Sequence, residues 1–264
     1  MNNRIDQLFA NKKSGILNLY FTAGYPNLQD TATIIKTADL AGVDMMEIGI
    51  PYSDPLADGP TIQASGTKAL ENGMSLKLLF EQLADVRSHT QMPLLLMGYL
   101  NMLMQFGIDD FIAQCKAVGI DGLILPDLPV DVYESEYQAK FEAAGLHVIF
   151  LITPQTTEAR IRKIDALSRG FIYMVSSAAI TGAKKDISSA QVEYFERIKN
   201  MNLKNARLIG FGISDKSTFD TACLHAQGAI IGSAFIKALG GSEDLEETVR
   251  EFVVGVRPRS EVAR

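Results

Sequence analysis

Short apolar runs alternate with amphipathic stretches along the whole chain. The apolar runs at 16–23, 44–50, 93–99, 122–128, 147–153, 171–177, 206–212 and 228–233 are rich in Ile, Leu, Val and Met. They carry little polar alternation, which is the pattern of strands buried on both faces. Between them helices are predicted at 30–41, 109–118, 131–144 and 157–168. Asp30 and the pair Asp109 and Asp110 open two of these, and Gly42, Gly119, Gly145 and Gly170 follow the four ends. Acidic starts and glycine stops are the expected caps. Ala41-Gly42-Val43-Asp44, Val118-Gly119-Ile120-Asp121 and Ala144-Gly145-Leu146-His147 repeat one helix-to-strand joint. A unit repeated eight times without a linker predicts a single (β/α)8 TIM barrel over residues 1–256, with an N-terminal helix and extra short helices. Residues 257–264, basic and aperiodic, are expected to form a flexible, solvated tail. An open doubly wound sheet is the alternative, which the strand count disfavours.

Composition narrows the class. At 264 residues, 47% hydrophobic and 21% charged, the chain describes a soluble globular protein with a large core. A net charge of −6 argues against nucleic acid, whose phosphates call for a basic surface. The start, Met-Asn-Asn-Arg-Ile-Asp-Gln-Leu, has no apolar signal region, and no run approaches the roughly 18 apolar residues of a membrane span. Cys115 and Cys223 lie far apart in helix-like patterns and read as free thiols in a reducing compartment. A cytoplasmic location without membrane contact is therefore expected.

A barrel carries its chemistry at the C-terminal ends of its strands. Two loops there are long. One follows strand 2, from Pro51 to Thr61; the other follows strand 6, from Ser176 to about Ser189. Glu47 lies near the end of strand 2 and shares a strand face with Met45 and Gly49. Both faces are apolar, so its carboxyl is expected to be buried, with a raised pKa suited to giving and taking a proton near neutrality. Asp58, in the loop that follows, can fold back over the mouth to face it. Two carboxyls in different surroundings can act as acid and base. The structural reading is that Glu47 pairs with an interior Arg or Lys and that Asp58 is a turn residue beside Gly59. The three histidines share no metal-ligand spacing, the strand candidates contain no lysine for a Schiff base, and there is no G-x-S-x-G or G-x-G-x-x-G motif. Carboxylate and hydroxyl chemistry remains, with no metal or cofactor required in this chain.

Opposite the carboxyls a phosphate cradle is expected. Gly210-Phe211-Gly212-Ile213-Ser214 follows strand 7; Gly232-Ser233-Ala234 follows strand 8 and opens a short helix, 235–239. These are the loops that bind phosphate in this fold, and Gly182 could complete the set. Tyr20, Phe21, Leu96, Tyr99, Leu125, Tyr173 and Phe211 lie near strand C-termini and suit a flat apolar group, with core packing as the alternative for several of them.

Glu47-Ile-Gly-Ile-Pro-Tyr-Ser-Asp-Pro-Leu-Ala-Asp-Gly-Pro-Thr-Ile-Gln63 resembles, almost letter for letter, the signature of the tryptophan synthase α subunit family. Phe21-Thr22-Ala23-Gly24-Tyr25-Pro26, Pro126-Asp127-Leu128-Pro129, Thr181-Gly182, Gly210-Phe211-Gly212-Ile213 and Gly232-Ser233-Ala234 match in the same order. The resemblance implies retro-aldol cleavage of indole-3-glycerol phosphate to indole and glyceraldehyde 3-phosphate. It implies that Glu47 is the proton shuttle at C3 and at the glycerol hydroxyl, and that Asp58 holds or deprotonates the indole N–H. Tyr173 would line the site near Glu47, Thr181 would help close the loop over Asp58, and Gly182, Gly212, Gly232 and Ser233 would bind the phosphate. Some members carry an arginine near Ser177, and this chain does not. The implied partner is a β subunit in an α2β2 complex, which uses pyridoxal phosphate to join channelled indole to serine. The apolar stretch Leu100 to Phe106 is a candidate contact for it. A free-standing lyase, another phosphate-binding barrel isomerase, or a barrel that only activates its partner are the alternatives.

Overall fold

The computed structural model describes residues 3–175, 188–210 and 212–258. Nine parallel strand segments form one sheet: β1 (Ile16–Thr22), β2 (Met45–Gly49), β3 (Leu94–Met97), β4 (Gly122–Ile124), β5 (His147–Ile149), β6 (Leu151–Ile152), β7 (Phe171–Val175), β8 (Ala206–Gly210) and β9 (Gly228–Ile231). Their order is β5-β4-β3-β2-β1-β9-β8-β7-β6. The two ends of that order, β5 and β6, are halves of one strand interrupted at Phe150, whose carbonyl accepts from Tyr173 N–H at 3.0 Å. The sheet thus returns on itself as the predicted eight-stranded α/β barrel.

Alternation along each strand divides the core in two. Ile16, Met45, Leu95, Ile124, Ile149, Phe171, Leu208 and Ile230 fill the barrel interior. Leu17, Leu19, Met46, Ile48, Leu94, Leu96 and Ile172 belong to the larger layer shared with the helices. Interior residues fill the space enclosed by the strands, as barrel packing requires.

The N-terminal helix Arg4–Asn11 stoppers the lower end. Asn3 caps it, accepting from Ile5 N–H at 2.8 Å. Ile5, Leu8 and Phe9 then enter the interior cluster. Asp121, at the foot of β4, is only 3% exposed and accepts from Arg4 (3.0 Å), Arg87 (2.7 Å) and Leu94 N–H (3.0 Å). His147 meets Asp6 at 2.9 Å on the same face.

Several expectations need correction. Most strands stop short of their predicted ends. The run 122–128 is strand only to Ile124, because the prolines at 126 and 129 lack the N–H a ladder needs. The loop after β2 closes before Pro60, which starts the helix Pro60–Glu71 at its first turn. The apolar stretch Leu100–Phe106 is a helix. Leu103 is buried and Phe106 packs on Phe80 and Phe111, leaving Met104 exposed. Arg257 is not part of a solvated tail: its buried guanidinium donates to the carbonyls of Gly15 (2.9 Å) and Gly42 and pairs with Asp44. Residues 259–264 lie outside the described residues, as do residues 176–187, where the loop after strand 6 was expected.

Candidate active site

Glu47 lies on the barrel-lining face of β2, opposite Tyr20 of β1 and Leu95 of β3. Its side chain has no solvent exposure. Among the described residues no Arg or Lys pairs with it. Its one hydrogen bond is from Asn18 Nδ2 to Oε1, at 2.6 Å, and Oε2 has no partner. Burial raises the carboxyl from its ordinary 4.5 to about 8, with the Asn18 bond opposing. A carboxyl placed there changes protonation close to neutral pH.

Asp58 is 9% exposed and accepts from the Tyr99 hydroxyl at 3.0 Å. That hydroxyl in turn accepts from Ala57 N–H at 2.9 Å, so Tyr99 ties both ends of a short loop segment to β3's exit. Burial raises the Asp58 pKa and the Tyr99 bond opposes it. Asp58 is therefore more than a turn residue. Tyr20 and Tyr173 are buried, and their hydroxyls are held well above the ordinary phenol range, by burial first and then by the charges of both Asp58 and Glu47. The two rings thus border the space that both carboxyls face. Room for them comes from glycine. A Cβ on Gly49 would lie 2.1 Å from the Tyr20 hydroxyl, and one on Gly210 would lie 2.4 Å from that of Tyr173.

Gly232 borders the Tyr20 ring, and Ser233 begins the helix Ser233–Gly240. The first intrahelical bond runs from Ile236 N–H to the Gly232 carbonyl, which leaves the N–H groups of 233–235 as the orphan donors of that helix. Gly212, at φ +78°, turns the chain after β8. These positions offer backbone donors of the kind phosphate binds. Thr181, Gly182 and Phe211 lie outside the described residues.

Leu96 is not a lining residue. It is paired with Ile48, one step out of phase with Glu47, and packs in the outer layer, as do Phe21 and Leu125. Met97, the next residue, reaches the interior cluster instead. Asn18 is the residue that sequence reasoning missed. Its signal was parity: it stands two positions before Tyr20, so it shares the lining face. Two open depressions near the strand exits, one with Asp127 and Arg160, the other with Tyr25, Thr61 and Lys237, contain neither carboxyl.

A parallel α/β barrel with one wholly buried carboxyl and a second held by a tyrosine at its mouth has the class of site at which an enzyme's own side chains can do acid–base work. The family model described as tryptophan synthase alpha chain matches residues 6–263. The tryptophan synthase alpha chain of Flavobacterium johnsoniae is 56% identical over 97% of this chain and 100% of its own length, and that of Phocaeicola vulgatus is 57% identical over 90% and 92%. In a structure of the Pyrococcus furiosus tryptophan synthase a2b2 complex, a chain 33% identical superposes with a TM-score of 0.85, covering 93% of this chain and 98% of that one. A chain of tryptophan synthase from M. tuberculosis is 28% identical, with a TM-score of 0.83, over 97% and 100%. The chain belongs to the tryptophan synthase alpha chain family.

Proposed function

We propose that this chain is the α subunit of a cytoplasmic tryptophan synthase, a carbon–carbon lyase of tryptophan biosynthesis. It cleaves indole-3-glycerol phosphate to indole and glyceraldehyde 3-phosphate. The observation that carries the reading is Glu47: wholly buried, with no cation paired to it among the described residues, so that burial pushes its carboxyl up to about 8. At neutral pH such a carboxyl is mostly protonated and can start as an acid. It gives its proton to C3 of the indole, while Asp58 stabilises the positive charge that develops at the ring nitrogen. Glu47, now a carboxylate, takes the proton of the side-chain hydroxyl. The C–C bond breaks as the aldehyde C=O forms, and its electron pair returns to the ring. The hydroxyl proton has moved to Glu47 and the proton of Glu47 to C3, so the enzyme ends as it began.

Tyr20 and Tyr173 bound the space for the flat ring, and Met97, level with Gly49, lies nearer the mouth. The N–H groups at 233–235 and the turn at Gly212 suit the phosphate, and Thr181 and Gly182 are assigned to closure and phosphate contact on the resemblance alone. Leu56 (88% exposed) and Met104 (59% exposed) are large apolar side chains beside the mouth and suit docking of the β subunit. Pyridoxal phosphate belongs to that partner in the α2β2 complex, and indole passes to it.

The test is indole release from indole-3-glycerol phosphate, with and without β subunit. Slow release alone and a large increase with the partner are expected, and Glu47→Gln should lose nearly all of it. Full turnover alone would make the chain a free-standing lyase. Near-normal release by Glu47→Gln would refute the shuttle.

A further inference from the structure

Asn18 and Glu47 make an unusual buried pair. Asn18 lies on β1 with no solvent exposure, and its Nδ2 donates to Glu47 Oε1 at 2.6 Å. Each partner also leaves one oxygen, Asn18 Oδ1 and Glu47 Oε2, buried with no hydrogen bond. Unsatisfied buried oxygens are costly, and they concentrate where a site has chemistry to do.

An amide suits a carboxyl that changes its proton. It offers two N–H donors on one side and a carbonyl acceptor on the other, and half a turn about χ2 exchanges them. A carboxylate only accepts; a carboxylic acid has an O–H to donate. The NH2 of Asn18 can therefore hold ionised Glu47, and its carbonyl can hold protonated Glu47. A guanidinium or ammonium side chain offers donors only and could hold just the carboxylate.

We propose that Asn18 is a positioning residue for the reaction, an amide that holds Glu47 in both of its protonation states and leaves the second carboxyl oxygen aimed at the substrate. This rests on Glu47 being the proton shuttle. Among the described residues, the ionisable groups that feel the charge of Glu47 are Tyr20 on β1 and Tyr173 on β7, and Asp58 from the loop after β2 acts on the same two tyrosines. None is a cation, so the Asn18 N–H is the contact that favours the carboxylate. Without it, ionisation of Glu47 becomes harder.

Asn18→Leu keeps the volume and removes both amide functions. In the α2β2 complex its kcat for indole should fall about tenfold or more, as for other lost hydrogen bonds to a charged group, with KM nearly unchanged. The alkaline limb of its pH profile should move up by about one unit. Glu47→Gln is run beside it. If Glu47→Gln is inactive but Asn18→Leu has an unmoved limb, the role of Asn18 is overturned and the shuttle stands. If Glu47→Gln is active, the shuttle falls and Asn18 loses its role with it. Should Asn18→Leu turn over too slowly to profile, carbon-13 NMR of labelled glutamate carboxyls decides the matter. The resonance missing from Glu47→Gln identifies Glu47. Its midpoint should rise above about 8 in Asn18→Leu, and an unmoved midpoint overturns the proposal.

Discussion

Replacing Glu47 by Gln should change how stability depends on pH, by an amount its burial sets. The side chain has no solvent exposure, and its carboxyl is pushed from 4.5 to about 8. A folded pKa above the unfolded one means that the native state holds the proton more tightly. The stability this contributes is complete below 4.5 and is lost as pH rises through about 8. At about 1.4 kcal/mol per pH unit, that gap amounts to roughly 5 kcal/mol between the protonated and ionised limits. Between about pH 5.5 and about pH 8.5 the native protein should lose roughly 3 kcal/mol through this one group, a large part of the ~5–15 kcal/mol that stabilises a domain. Glu47→Gln keeps the shape and has no proton to lose. Urea titrations of the two proteins across that range test this directly, because every other titrating group is common to both and cancels in the difference. With a slope of about 3 kcal/mol per molar urea for a chain this size, the midpoints should diverge by about 1 M. Parallel pH dependences would mean that Glu47 ionises in the native state as it does in water, and the buried-acid reasoning would fail.

Two further substitutions probe the mouth and the foot of the barrel. Tyr99→Phe removes the donor to Asp58 and the acceptor for Ala57 N–H. It should lower kcat/KM for indole formation about tenfold or more, with the ring packing on Tyr52 kept; an unchanged kcat/KM would leave Tyr99 a packing residue only. Asp121→Ala strips Arg4, Arg87 and Leu94 N–H of a shared buried acceptor. It should cost about 3 kcal/mol in urea unfolding, at the lower end for a broken buried pair because Arg4 is partly exposed; a loss below about 1 kcal/mol would show that solvent replaces the contact.

The barrel was legible because each apolar run needs cover on two faces and some intervening helices end at a glycine such as Gly42 or Gly119, both left-handed in the structure. What the runs do not mark is where a strand stops. Leu125 and Leu128 are as apolar as Ile124, yet they belong to the exit after β4, and only Pro126 and Pro129 give a sign of it. Glu47 was legible as an acid out of place. Leu96 was misassigned although the same strand period was available: counting from the pairing of Glu47 with Leu95 puts Leu95 and Met97 inside and Leu96 outside. Asn18 went unread because an amide looks ordinary until a carboxyl is known to lie against it. Arg257 could not be read at all. Its partners, Gly15, Gly42 and Asp44, are brought to the C-terminus only by closure of the barrel.

Glu47 and Asp121 show how one fold uses two buried carboxyls in opposite ways. At the foot, Asp121 has two guanidinium groups and a backbone N–H around it. A carboxylate so surrounded fixes the N-terminal helix and two strand starts in place, and its value is structural. At the mouth, Glu47 has an amide and two tyrosine rings beside it, and no positive charge among the described residues. Burial without a counter-charge lowers stability whenever the group ionises, so nothing in the folding of the barrel favours it. Leu or Met at that position would pack against Met45 and Leu95 with no such penalty. Retention of an acid there makes sense only as a requirement of chemistry, and the well-paired foot of the barrel supplies the stability that lets the mouth keep it.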